Sequence, residues 1–206
     1  MVRKEYIDTF TSNMEHTGVK LRDEVHSEGL WHQTFHCWLW RVENGKAHLL
    51  FQRRHSKKKD YAGLLDITAA GHLEAGERPL DGVRELREEL GIDLDPSQLT
   101  YTGVISDSIK GDNIIDNELG HVFFHEYQGS LTDFRLQEDE VTSIVTVEVG
   151  HFRLLFTHEA ESIAGTEFVP VHGPAGVEVK LTMGDFVPHE RTYYEFILDH
   201  LASCVE

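Results

Sequence analysis

Apolar and polar positions along the chain follow two different periods, and the change from one to the other outlines its elements. From Phe35 to Phe51 the apolar residues are aromatic and β-prone, and Glu43-Asn44-Gly45-Lys46 interrupts them with an Asn-Gly turn. That pattern predicts a hairpin. Leu64–Ala70, Leu99–Ser106, His121–Tyr127 and Val141–Val149 read as further strands, the last β-branched at most positions. Pro79–Leu90 reads as a helix with a proline in its first turn and Gly91 as its stop. His151–His158 carries a weaker helical pattern. Glu190–Ser203 sets Tyr194, Ile197, Leu198 and Leu201 on one face of a closing helix. Gln52–Gly63 is a polar loop, and the Gly-rich stretch Glu159–Asp185 has no period that assigns it. Strands and helices mix without βαβ alternation, which predicts an α+β fold with a mixed sheet between helices. No repeat, low-complexity tract or Pro/Ser-rich linker divides the 206 residues, so one domain is expected.

Composition narrows the function. Apolar residues make up 40 %, enough for a core, which excludes a wholly disordered chain. The net charge of −17 repels polyanions, so neither a nucleic-acid polymer nor an anionic membrane is the expected partner. An anionic substrate would need a local cation to bridge it. Arg53, Arg54, Lys57, Lys58 and Lys59 form the one positive island, in the loop after the hairpin. Cys37 and Cys204 have no metal-type spacing and form no disulfide framework. The N-terminal stretch from Met1 to Met14 lacks the apolar run of a signal peptide, and no segment reaches the roughly 20 apolar residues of a membrane span. A soluble, cytoplasmic protein is therefore expected. A homodimer, the commonest assembly, stands as an alternative to a monomer.

The richest chemistry lies in Gly71–Ile92. On a helical wheel with about 100° per residue, counted from Leu80, Val83, Leu86 and Leu90 fall together near 300°, 240° and 280°. Glu85, Glu88 and Glu89 fall on the other side, near 140°, 80° and 180°. Like charges at this spacing destabilise a helix by a few tenths of a kcal/mol per pair. A hard divalent cation would turn that repulsion into affinity, because magnesium and manganese prefer oxygen ligands. The plainer alternative is a solvated acidic face with Arg84 and Arg87 as ion-pair partners. The loop that leads in, with Gly71, Gly76 and Glu77, makes this a loop–helix unit rather than a bare charged helix.

Gly71, Glu77, Arg84, Glu85, Leu86, Glu88, Glu89, Gly91 and Ile92 together resemble the signature of the Nudix superfamily. One departure is that six residues, Arg78–Val83, separate Glu77 from Arg84 where the family usually has seven, which leaves the register of the later glutamates unchanged and requires a tighter loop before them. The resemblance implies a single Nudix domain of mixed sheet between helices, with an N-terminal extension over about 1–30 and a C-terminal helix over about 190–203. It implies metal-dependent hydrolysis of a diphosphate linkage in a nucleoside diphosphate derivative or other small organic diphosphate. Mg2+ or Mn2+ would be the cofactor. Carried over by position, Glu85, Glu88 and Glu89 would be metal ligands. Alternatively, Glu88 or Glu89 would orient or deprotonate the attacking water. Arg84 would hold the carboxylates, and Gly71 would let backbone approach the metal or phosphate.

A narrower resemblance is to the branch containing type I isopentenyl-diphosphate isomerases. Trp31 to Leu39 resembles that family's first core strand, Ala70-Gly71-His72 its Cys-Gly-His, and Asp116-Asn117-Glu118 its Glu-x-Glu strand entry. By position His32 and His72 match histidine ligands, His26 matches a third with a different spacing, Glu118 matches the catalytic and metal-binding glutamate and Asp116 its partner. These residues imply a second metal site. Glu118 is also the expected fourth ligand of the glutamate site, with Glu126 and Glu140 as runners-up. Ala70 stands at the isomerase's cysteine position and can neither donate nor accept a proton. The intact glutamate triplet, which the isomerases tend to lose in part, also favours a hydrolase. An isomerase-like enzyme and a non-catalytic ligand-binding module are the alternatives. Arg53, Arg54 and Lys57 to Lys59 could grip phosphates. Trp31, Trp38, Trp40 and Phe123 could stack on an organic group, although core packing suits Trp38 and Phe123 better. His158-Glu159 lacks the second histidine of a zinc-protease motif.

Overall fold

The structure is a computed structural model that describes residues 4–110, 115–173 and 175–204; the first three residues of the N-terminal stretch read above lie outside it. Its strands are β1 (Tyr6–Phe10), β2 (His16–Leu21), β3 (Trp31–Glu43), β4 (Lys46–Arg54), β5 (Leu65–Asp66), β6 (Ala69–His72), β7 (Thr100–Lys110), β8 (Ile115–Glu126), β9 (Val141–Glu148), β10 (Ile163–Phe168) and β11 (Val177–Leu181). Its helices are α1 (Arg22–Glu28), α2 (Arg84–Leu90), α3 (Val149–Phe156) and α4 (Arg191–Cys204). The strands form one hydrogen-bonded network that runs β11-β10-β9-β4-β3-β1-β2. β6 and β8 also pair with β3, β5 with β4, and β7 with β8. All pairs are antiparallel except β3 with β8. The expected α+β architecture is what forms.

β3 organises the molecule. Successive side chains on a strand point to opposite faces, so Phe35, Cys37 and Leu39 enter one apolar layer with Leu86 and Leu90 of α2. Trp38 and Trp40 enter the other, with Phe152 of α3 and Tyr194, Ile197, Leu198 and Leu201 of α4. The tryptophans at 38 and 40 and Phe123 are therefore core residues. Cys37 is fully buried, and burial pushes its thiol well above the ordinary value, so it is a packing residue and not a nucleophile.

Three expectations are revised. The stretch Leu64–Ala70 is two short strands, because Thr68 leaves the ladder: its hydroxyl bonds the Leu50 carbonyl and receives the Leu39 N–H at 3.0 Å. The helix expected from Pro79 begins as a 3-10 turn over Pro79–Val83 and becomes α-helical only at Arg84. Gly82 packs so closely on β3 that a Cβ there would lie 2.3 Å from the Phe35 Cβ, which fixes the entry by contact rather than by propensity. The unassigned region from Glu159 contains the β10–β11 hairpin that extends the sheet beyond β9. Gly91 does end α2, in the left-handed conformation with φ 68°, as its sequence position predicts. No helix among the described residues is long and apolar enough to cross a membrane.

Candidate active site

A cavity of about 1190 Å³ opens at the end of the sheet where β6, β8, α2 and the N-terminal segment meet. Glu85, Glu88 and Glu89 all line it. They differ in exposure as the wheel requires: Glu89, about 60° from Leu86, is 9 % exposed, the Glu85 side chain 14 %, and Glu88 is open to solvent. Burial and the neighbouring Glu85 push Glu89 up to about 8, even though Gln52 Nε2 donates to it at 3.3 Å. Burial also pushes Glu85 up to about 7, with Arg84 pulling down and Glu88 pushing up. Two buried carboxylates with too little positive charge beside them are a poor structural device and a good seat for a dication.

Gly71 on β6 is the floor of this site. A Cβ there would fall 2.4 Å from the Glu85 carboxyl, so only glycine lets that carboxylate lie against the strand. Arg84 reaches the Glu77 carboxylate at 3.1 Å, Glu85 Oε1 at 3.2 Å and the His72 carbonyl at 3.1 Å. Glu77 accepts the Glu74 N–H at 2.7 Å and so braces the loop as well as the arginine.

The histidines expected from the second resemblance come together. The ligand atoms of His26, His32, His72 and Asp116 lie within 4.8 Å of one another. His26 comes from α1, His32 from β3, His72 from β6 and Asp116 from β8. His32 Nδ1 lies 3.0 Å from the Leu30 carbonyl, which can only accept. Its proton is therefore on Nδ1, and Nε2 presents a lone pair. His32 Nε2 and Asp116 Oδ1 are buried with no hydrogen-bond partner, although they are 3.4 Å apart. Burial, with the other cationic groups nearby, brings His26 down to about 4 and His72 well below its ordinary value, so the rings are neutral. Burial and the Glu118 charge push Asp116 up to about 8. The orphaned His32 Nε2 and Asp116 Oδ1, beside the neutral rings of His26 and His72, whose Nε2 atoms lie 3.0 Å apart, fit a transition-metal ion such as manganese.

Glu118 lines the same cavity, with its Oε2 3.2 Å from His36 Nε2. Burial would raise its pKa, but the His36 hydrogen bond and nearby histidines bring it below the usual range. The basic island divides. Arg54 and Lys57 to Lys59 line the cavity, although Arg54 also pairs with Asp66 at 2.8 Å and Lys58 with Glu140. Arg53 is not among the lining residues; it pairs with Glu167 at 2.6 Å and the Gly63 carbonyl at 3.0 Å.

Sequence reasoning missed the other half of the cavity. His189 is held between Asp107 at 2.5 Å and Asp66 at 3.0 Å. Burial opposes its charge, but these two carboxylates keep it protonated, with a pKa up to about 10. Asp107 also accepts the Glu190 N–H at 2.8 Å, which ties the entry to α4 to β7. The hydroxyl of Tyr61 is buried there without a hydrogen-bond partner. These residues come from separate elements and follow no local spacing.

Residues 31–165 match the NUDIX domain family. An uncharacterized Nudix hydrolase of Clostridium acetobutylicum is 35 % identical over 201 residues, covering 96 % of this chain and 97 % of its own length. Nudix hydrolase 3 of Arabidopsis thaliana is 34 % identical over 162 residues, which cover 76 % of this chain and 21 % of that protein. An isopentenyl-diphosphate Delta-isomerase of Escherichia coli is 33 % identical over 129 residues, 61 % of this chain and 66 % of the isomerase. Among solved structures, a Deinococcus radiodurans protein superposes with a TM-score of 0.55 at 16 % identity, over 75 % of this chain and 88 % of that one, a likeness of fold.

Proposed function

This chain belongs to the NUDIX domain family, a family of hydrolases of diphosphate-containing compounds, and from that premise we propose that it cleaves a phosphoanhydride bond in a small organic diphosphate with Mg2+ or Mn2+ held by Glu85, Glu88 and Glu89. The observation that carries this reading is the pair of carboxylates on the cavity wall, Glu85 lying against Gly71 and the buried Glu89 bonded by the Ala70 backbone. When bound, a divalent cation would neutralise phosphate charge and acidify water.

The chain's own groups do the rest. Arg84 fixes Glu85 by an ion pair at 3.2 Å and anchors itself on the His72 carbonyl. Arg54 and Lys57, which line the same cavity, bind the terminal phosphate oxygens. Glu88 or Glu89 accepts a proton from the attacking water as it adds to phosphorus. The bridging P–O bond then breaks and its electron pair leaves with the second phosphate. His26, His32, His72 and Asp116 would hold a further ion, and Glu118, which lines the same cavity, would contact the substrate.

The second reading, an isopentenyl-diphosphate isomerase, is favoured by that histidine cluster and by the likeness to the E. coli isomerase. Ala70 argues against it. Its methyl lines the cavity and supplies no proton. The test is a panel of dinucleoside polyphosphates, nucleotide sugars and prenyl diphosphates incubated with Mg2+ or Mn2+. Release of a phosphorylated product, abolished in Glu88→Gln or Glu89→Gln, is the expected result. Interconversion of isopentenyl and dimethylallyl diphosphate would establish the isomerase instead. Calorimetric binding with no turnover of any panel member would favour a ligand-binding module.

A further inference from the structure

The ring of His36, 1 % exposed on β3, lies between Glu118 and the first turn of α4. Nδ1 is 2.9 Å from Tyr193 Oη. Nε2 is 2.9 Å from Thr34 Oγ1 and 3.2 Å from Glu118 Oε2. The donors assign the protons. Trp38 Nε1–H can only donate, and it donates to Tyr193 Oη at 3.1 Å. The phenol has its own proton to place, and among the described residues His36 Nδ1 is the acceptor in reach. Nδ1 is then the bare nitrogen, and the ring proton sits on Nε2, facing Glu118 and Thr34. The other tautomer would strand the phenol proton and set a lone pair 3.2 Å from a carboxylate, both costly in a buried site.

The surroundings are shaped to this ring. A Cβ on Gly120 of β8 would come 2.6 Å from His36 Nδ1 and Cε1, so the glycine leaves the space that the imidazole fills. Tyr193 in turn stacks on His189 with ring centroids 4.7 Å apart, and His189 is clamped by Asp66 and Asp107. The chain of contacts thus runs from the core indole of Trp38, through α4, to a carboxylate on the cavity wall.

We propose that Trp38, Tyr193 and His36 form a positioning relay that locks His36 as the Nε2–H tautomer and thereby fixes the Glu118 carboxylate toward the substrate. This rests on the part given to Glu118 in the proposed reaction. Networks of this kind around a reacting carboxylate change activity by about 10- to 100-fold when broken.

The test uses the full-length protein labelled with 15N-histidine and 13C-glutamate. Two-bond ring correlations should show His36 as a single Nε2–H tautomer. Tyr193→Phe keeps the ring stacked on His189 and removes only the hydroxyl. It should introduce the Nδ1–H form and move the Glu118 Cδ resonance. Gly120→Ala, which displaces the imidazole without touching Tyr193, should do the same. With ADP-ribose, diadenosine tetraphosphate and dimethylallyl diphosphate as substrates and Mn2+ present, any turnover should fall about 10- to 100-fold in kcat in Tyr193→Phe, with KM within about twofold. An Nδ1–H tautomer in the unmodified protein overturns the relay, as does a tautomer or Glu118 resonance indifferent to Tyr193→Phe. Glu118→Gln that leaves turnover intact overturns instead the part given to Glu118, while the tautomer result stands by itself.

Discussion

Ion binding at the glutamate trio should be strongly linked to protons, and the size of the linkage follows from the two buried carboxyls. Glu89 is pushed up to about 8 and Glu85 to about 7, because burial and neighbouring carboxylates outweigh Lys58 and Arg84. A divalent cation needs both groups ionised. At pH 7 groups with these values carry about 0.9 and 0.5 of a proton, so binding should release roughly 1.4 protons per ion. From pH 6 to pH 9, Glu89 should contribute about two decades of affinity and Glu85 about one, together roughly a thousandfold or ~4 kcal/mol. Carboxyls near the ordinary ~4.3 would contribute almost nothing over that range. The measurement is calorimetric titration of Mn2+ into the His72→Gln protein, in which the histidine cluster has lost a ligand. Repeating it in two buffers of different ionisation enthalpy counts the protons. An affinity that varies less than about threefold between pH 6 and pH 9, or release of fewer than about 0.3 protons at pH 7, would refute the reasoning.

Stability without metal should peak near pH 6. The folded pKa values of Glu85 and Glu89 are raised, so their stabilisation is complete below the unfolded value and is lost as pH rises through about 7 and 8. The lowered values of His26, His32 and His72 act from the other side, because only the unfolded chain takes up their protons below about 6.5. Scanning calorimetry in EDTA should show the maximum, and a Tm that rises monotonically to pH 9 would contradict it. Gly71→Ala should push the Glu85 carboxyl off β6 and weaken Mn2+ binding about 10- to 100-fold, checked by the same titration. His189→Asn should leave Asp107 buried without its cation and Asp66 with Arg54 alone, and cost ~3–5 kcal/mol, or about 10 °C in Tm.

How much of this was legible in the sequence depends on how local the cause is. The Asn-Gly turn, the Gly91 stop and the apolar face of α4 act within a few residues, and each forms where the pattern sets it. The split between β5 and β6 depends on Thr68 bridging β3 and β4, partners that lie 18 and 29 residues away in sequence. No local period encodes that. β1, β2 and α1 in the N-terminal extension escaped notice for a similar reason. β1 is anchored by pairing with Trp31 and His32 of β3, and α1 is short and buries one side chain, Val25.

The site divides along the same line, and the division says why the glutamate and histidine clusters belong together. Glutamates one helical turn apart can be read from spacing, whereas Asp66, Asp107 and His189 meet only through the fold. What joins the clusters is three consecutive residues of β6. The Ala70 backbone bonds Glu89, Gly71 makes room for Glu85, and His72 enters the histidine set. Alternation along a strand sends neighbours to opposite faces, so one short strand serves both clusters without a loop between them. A shift of β6 by one residue would exchange those faces and disrupt both clusters together. That coupling favours a reaction in which both charge centres act on one bound diphosphate. Ala70, on the same strand, lines the cavity with a methyl that can neither donate nor accept a proton.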